Sequence, residues 1–139
     1  MSEENKALAR RWAEDVMNQR NLDAVDEIYA PDFVGHDPAM PEDMRGVEGA
    51  REFYGMYQSA FPDAQITIED QLAEGNKVVT RWTGRGTHQG ELLGVPPSGN
   101  RVEVSGITIS RIEGGMVVEE WDNYDALGMM QAIGAIPEQ

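Results

Sequence analysis

The stretch Arg101–Asp125, RVEVSGITISRIEGGMVVEEWDNYD, decides the fold. Arg101 to Ile112 reads as one strand, and the turn Glu113-Gly114-Gly115 feeds a second that starts at Met116. This second strand empties into a short helix, Ala126 to Ile133, apolar through Leu127, Met130 and Ile133. Asp122 lies near the strand's end, flanked by Trp121 and Tyr124. Half-burial among such neighbours disfavours the charged carboxylate and moves its proton affinity toward neutral pH, where it can both take and return a proton. Strand alternation places Asp122 on the face of Val118 and Glu120, opposite Val117, Glu119, Trp121 and Asn123. The structural alternative is a strand-end carboxylate that caps the last helix, but Asp125 sits directly before that helix and is the better cap.

Working back toward the N-terminus, Lys77 to Thr87 reads as a strand with Val78, Val79 and Trp82. Ala64 to Glu74 alternates around Ile66 and Ile68 and turns at Gly75-Asn76, and a loop from Gly90 to Asn100 links to Arg101. The first half is helical. Leu8, Trp12, Ala13 and Val16 recur at helical spacing, with Ser2 as a cap. A short second helix begins at the cap Asn21, shows Leu22, Val25, Ile28 and Tyr29 on one side, and stops before Pro31. Phe33 to His36 is a brief strand and Asp37 to Pro41 a loop. A third helix presents Ala50, Phe53, Tyr54, Tyr57 and Phe61 on one face and ends at Pro62. Helices followed by consecutive antiparallel strands predict an α+β fold: a strongly curved antiparallel sheet with N-terminal helices packed against it, able to form a cone-shaped barrel around a pocket. No linker or repeat interrupts the chain, so a single domain over residues 1–139 is expected.

Composition excludes several function classes. The net charge of −14 argues against nucleic acid or an anionic membrane as a partner, because phosphate binding needs clustered Lys and Arg. With no cysteine there is no disulfide, thiol nucleophile or thiolate metal site. The opening MSEENK is too polar for a signal peptide and no apolar run reaches membrane-spanning length, so a cytoplasmic location is expected. Gly84-Arg-Gly86 and Gly114-Gly115 precede no helix that could receive a phosphate. The two histidines, His36 and His88, are of the residue type whose unperturbed titration lies near neutral pH; His36 ends one strand and His88 lies just past the end of another, so either could orient a substrate carbonyl or simply pair with a neighbouring carboxylate. They lack the ligand spacing of a metal site, and no metal is expected.

Three blocks carry a family resemblance: Thr87–Gly99 (THQGELLGVPPSG), Ile109–Asp122 (ISRIEGGMVVEEWD) and Leu127–Gly134 (LGMMQAIG). Together with the opening helix and Pro31-Asp-Phe33, they resemble the SnoaL-like polyketide (ester) cyclases over nearly the whole chain. The resemblance implies the cone-shaped fold of nuclear transport factor two-like proteins and a homodimer or higher homo-oligomer that pairs through the sheet. It also implies aldol ring closure of a hydrophobic carbonyl substrate without cofactor. Asp122 matches the family's acid/base aspartate and His88 a histidine of its pattern, which makes these two the catalytic candidates. His36, Tyr54, Trp82, Thr108 and Trp121 are candidates for lining the substrate site. One position departs: where those cyclases carry a histidine beside the aspartate, this chain has Thr108, which can hydrogen-bond but cannot hold charge. Epoxide hydrolysis is a further enzymatic variant. A non-catalytic small-molecule binding module and an oligomerising scaffold are the readings from other classes.

Overall fold

The four longest strands, β3 (Gln65–Glu74), β4 (Lys77–Thr87), β5 (Arg101–Glu113) and β6 (Met116–Tyr124), form an antiparallel meander. In the computed structural model, which describes residues 2–136, two earlier strands extend this sheet. β1 (Tyr29–His36) lies beside β6 and β2 (Met44–Arg45) beside β1, so the order is β2-β1-β6-β5-β4-β3. Residue 1 and residues 137–139 of the expected domain lie outside the described residues.

The architecture is α+β, with a curled sheet and helices packed on it. It refines the expected one in two ways. The β1–β6 pairing is parallel, so the sheet is mixed, and it ends in two edges, β2 and β3, without closing. β1 is also longer than the four residues read from sequence: Tyr29, expected on a helix, begins the strand and is fully buried. A register shift between Tyr29 and Val34 accommodates Pro31, which cannot donate to a ladder.

Helix α1 (Ser2–Arg11) continues into a wider π-helical stretch, Trp12–Asn18, which turns Trp12 and Met17 toward the sheet. Its end is pinned to edge strand β3 by Asn18, whose amide accepts from the Ile66 N–H at 2.7 Å and donates to the Ile66 carbonyl at 2.9 Å. A 3₁₀ turn (Leu22–Ala24), capped by Asn21 as expected, leads into the short α2 (Val25–Ile28). α3 (Gly46–Ala60) packs on β1 and β2, and α4 (Ala126–Ala132) packs on β5 with Asp125 as its cap. No described helix is long and apolar enough to cross a membrane.

Along β5 every second residue from Val102 to Ile112 is turned inward and buried, while Glu103, Ser105 and Ile107 between them are exposed. The inward row changes character along its length, from Val102 and Val104 through Gly106 to Thr108 and Ser110. Gly106 is required there. A Cβ at this position would come within 2.4 Å of the Trp82 ring and 2.8 Å of the Tyr124 Cβ, the residues opposite it on β4 and β6.

Candidate active site

The polar end of the inward face is built from cross-strand rows. Thr108 of β5 faces Asp122 of β6, and Ser110 faces Glu120. The Thr108 hydroxyl donates to Asp122 Oδ1 at 2.7 Å and itself accepts from the Trp82 indole N–H at 3.1 Å. Ser110 donates to Glu120 Oε2 at 2.9 Å. A bulge brings the two carboxylates onto this face: Arg111 pairs with Glu119 and Ile112 with Val117, which leaves Val118 as the extra residue. Simple alternation put Asp122 opposite Val117; the bulge reverses that relation, and Val117, Glu120 and Asp122 are all buried together.

Asp122 opens onto a cavity of about 110 Å³ lined by the sheet, α3 and the π-helical stretch. Its wall is mainly aromatic and aliphatic, including Trp12, Phe53, Phe61, Trp82, Val104 and Met129. Three tyrosines also line it. Tyr54 bonds to the Tyr29 hydroxyl at 2.7 Å. Tyr57 bonds to the Tyr124 hydroxyl at 3.1 Å, and Tyr124 reaches Asp37 Oδ2, also at 3.1 Å. Asp37 follows β1 and is buried behind Tyr124, with its second oxygen accepting from the Ala39 N–H at 2.9 Å.

Burial dominates the electrostatics. It lifts the Asp122 carboxyl from the ordinary carboxylate range to about 7, against the opposing pull of the Thr108 bond, and the Asp37 charge adds to the rise. Glu120 is held well above its usual range by burial and then by the Asp122 charge, with the Ser110 bond opposing. Asp37 is raised by burial, opposed by its bonds to Ala39 and Tyr124. Burial likewise pushes Tyr57 up to about 12, so the tyrosines enter neutral-pH chemistry as hydrogen-bonding groups. An apolar cavity holding one carboxylate poised near neutrality can exchange a proton with a weak carbon acid.

Of the residues singled out from sequence, Asp122, Tyr54, Trp82 and Thr108 line this cavity. His88, His36 and Trp121 do not, which corrects their expected roles at the pocket. His88 is completely buried, and its Nδ1 accepts from the Ser98 N–H at 3.1 Å and contacts Ser98 Oγ at 2.9 Å. It ties the two ends of the 88–100 loop together, since its backbone also bonds to Asn100 and Gly99. His36 lies outside the cavity, held by Glu119 at 2.7 Å and Asp43 at 3.2 Å, and stacks on Trp121. The bond to Glu119 raises its proton affinity. Among the described residues no cluster of His, Cys, Asp and Glu could hold a metal ion.

Sequence reasoning missed Asp37, Glu120 and the Tyr57–Tyr124 pair as cavity or near-cavity groups. Tyr57 stood in the aromatic stripe of the third helix, and a tyrosine two residues beyond Asp122 shares its strand face; these were the available signals. Nothing local marks Asp37, whose partner Tyr124 is 87 residues away.

A profile for the SnoaL-like polyketide cyclases matches residues 7–133. No match was found among curated proteins. Among solved structures, a proposed SnoaL-like polyketide cyclase from Jannaschia sp. CCS1 is 28% identical with a TM-score of 0.89, over 98% of this chain and 95% of that one. AclR from Streptomyces galilaeus, a proposed hydroxylase, is 28% identical with a TM-score of 0.87, over 100% and 86%. IdmH from Streptomyces antibioticus, a proposed polyketide cyclase, is 32% identical with a TM-score of 0.78, over 94% and 98%.

Proposed function

Since the chain belongs to the SnoaL-like polyketide cyclase family, we propose that it is a cofactor-independent acid/base enzyme that closes a ring in a hydrophobic carbonyl compound by intramolecular aldol addition. Asp122 removes a proton from the carbon between two carbonyl groups. The resulting enolate carbon attacks a ketone or aldehyde of the same molecule and forms the new carbon–carbon bond. Asp122 then returns the proton to the alkoxide, so the carboxylate is regenerated and no other reactant is consumed. The apolar wall holds the folded substrate close to attack geometry.

One observation carries this reading: Asp122 is a buried carboxylate facing an apolar cavity, with a proton affinity near neutrality. Ketosteroid isomerase, in which an aspartate base transfers a proton next to a carbonyl, relies on the same physics. Thr108 keeps Asp122 oriented through a 2.7 Å bond and favours its charged form. Because the fold also hosts a proposed hydroxylase, the reading rests on the site and not on the fold.

Exchange of carbon-bound hydrogen for deuterium in a panel of hydrophobic β-ketoesters, followed by proton NMR, tests the first step directly. Exchange should be catalysed by the wild type and fall by at least about 100-fold in Asp122→Asn. Turnover undiminished in that variant removes Asp122 as the base. A second reading is favoured by Thr108 standing where the family's histidine would be: the cavity binds a small hydrophobic molecule without transforming it. Tight retention of a co-purified ligand, together with no exchange in any panel member, selects that reading.

A further inference from the structure

Removing a proton next to a carbonyl puts negative charge on the carbonyl oxygen. In an apolar cavity that oxygen needs a hydrogen-bond donor. The cavity wall contains a donor that is buried with nothing to donate to. Trp12 lines the cavity and is 7% exposed, and its indole N–H has no hydrogen-bond partner among the described residues. An N–H taken from water without gaining an acceptor is destabilising until something supplies one. Trp12 is also where the first helix widens: the π-helical stretch Trp12–Asn18 begins at this residue, and such widened turns recur at functional sites. Its ring is held on two sides. It stacks on Tyr54 with centroids 6.2 Å apart and meets the Trp82 ring nearly at right angles at 5.5 Å. Trp82 in turn donates to Thr108 and Thr108 to Asp122, so Trp12 and the base belong to one contiguous wall. The tyrosine hydroxyls of that wall all have partners, Tyr54 with Tyr29 and Tyr57 with Tyr124, while Tyr124 donates to Asp37. A ligand oxygen would compete with those bonds, whereas at Trp12 it competes with none.

We propose that Trp12 donates a hydrogen bond from its indole Nε1 to the substrate's carbonyl oxygen and holds the enolate oxygen that forms when Asp122 removes the adjacent proton. This deepens the proposed function and rests on a carbonyl compound occupying the same cavity. An indole N–H only donates, so its partner must be an acceptor such as a ketone or ester oxygen. It keeps its proton at neutral pH, so the oxygen stays an enolate oxygen instead of becoming an enol. The neighbouring carbon therefore retains the electron pair that attacks the second carbonyl. The proton from carbon resides on Asp122 until the new alkoxide takes it, and the Trp12 proton remains on nitrogen throughout. Before reaction the bond satisfies a donor that folding left unpaired; it strengthens as negative charge grows on the oxygen. Trp12 is the group that touches substrate, and Tyr54 and Trp82 position its ring.

Acetophenone and α-methylstyrene are matched probes, because the second has a CH₂ group where the first has its carbonyl oxygen. Each is titrated into wild-type protein labelled with ¹⁵N at its three tryptophans. The indole N–H signals are assigned with Trp12→Phe, Trp82→Phe and Trp121→Phe. The Trp12 N–H proton should lie further downfield in the acetophenone complex than in the α-methylstyrene complex, since the two probes share ring currents and differ in the acceptor. Replacing Trp12 by benzothienylalanine puts sulfur in place of the N–H at nearly unchanged shape. It should weaken acetophenone binding about tenfold and leave α-methylstyrene binding unchanged. The same replacement should slow deuterium exchange of the β-ketoester panel by about 100-fold. Equal Trp12 signals with the two probes overturn the proposal, as does an affinity for acetophenone that the replacement leaves undiminished or lowers no more than that for α-methylstyrene. Failure of the wild type to bind acetophenone at millimolar concentration also overturns it. A preference for the ketone that survives the replacement but is lost in Tyr57→Phe would assign the oxygen to Tyr57 and overturn it as well. Asp122→Asn should keep the downfield Trp12 signal, so a donor that fails here is distinguishable from a base assignment that fails in the exchange assay.

Discussion

At Asp122 burial and hydrogen bonding pull in opposite directions. Burial raises the proton affinity to about 7, while the bond from Thr108 lowers it. Removing that bond with Thr108→Val should move the pH midpoint of the exchange rate upward by about one to two pH units, because a bond to a charged group contributes about 1.5–3 kcal/mol. A pH–rate profile that does not move would deny Thr108 this influence. The same balance has a consequence for stability. A carboxyl whose affinity is raised on folding supports the fold while protonated, and that support fades as pH rises through its folded value. The interval from 3.8 to about 7 corresponds to on the order of 4 kcal/mol. Asp122→Asn should therefore match the wild type in urea unfolding near pH 4, exceed it increasingly up to about pH 7, and hold a constant lead above that. A difference that stays constant from near pH 4 to about pH 7 would contradict the assigned shift. Asp122 was legible in the sequence because a carboxylate between Trp121 and Tyr124 on a strand is unusual. Its neighbour Glu120 was not, since alternation alone does not reveal which face is inward.

At the scale of elements, the register of β4, β5 and β6 aligns the site. Gly106 sits between Trp82 and Tyr124, and its missing side chain is what lets both rings close over β5. Gly106→Ala should cost about 1–3 kcal/mol in chemical denaturation, because overpacking must displace a ring or the backbone. It should also weaken ligand binding, since the displaced rings belong to the cavity wall. Normal stability with unaltered binding would show that the rings have room to shift. The strands themselves could be read from their alternation and turns, and four of them have nearly the expected ends. The bulge at Val118 was not legible. It follows from how β6 pairs with β5, and a single extra residue moves each following side chain to the other face. The roles expected of His36, His88 and Trp121 were lost for a related reason: a residue near a strand end can point into the cone, across its outer surface or into a loop.

For the whole molecule, the helices and the curled sheet line a cavity whose wall is mainly apolar, so a matching ligand should stabilise the folded state. A ligand present at 100 times its dissociation constant should add about 2.7 kcal/mol, seen as a rise in the thermal midpoint. That rise should persist in Asp122→Asn, where binding is separated from chemistry, and its absence there would assign Asp122 to recognition. Composition and short-range pattern were enough to establish the order of helices and strands, the strong acidity, the absence of thiol chemistry and the candidacy of Asp122. These depend on residue counts and on periodicities that span only a few positions. Which polar groups share the cavity was settled only when the chain folded. Tyr57, Tyr124 and Asp37 come from a helix, a strand and a loop, and Asp37 and Tyr124 are 87 residues apart. Their meeting depends on β1 docking in parallel beside β6 and on the curl of the sheet, neither of which leaves a local mark in the chain.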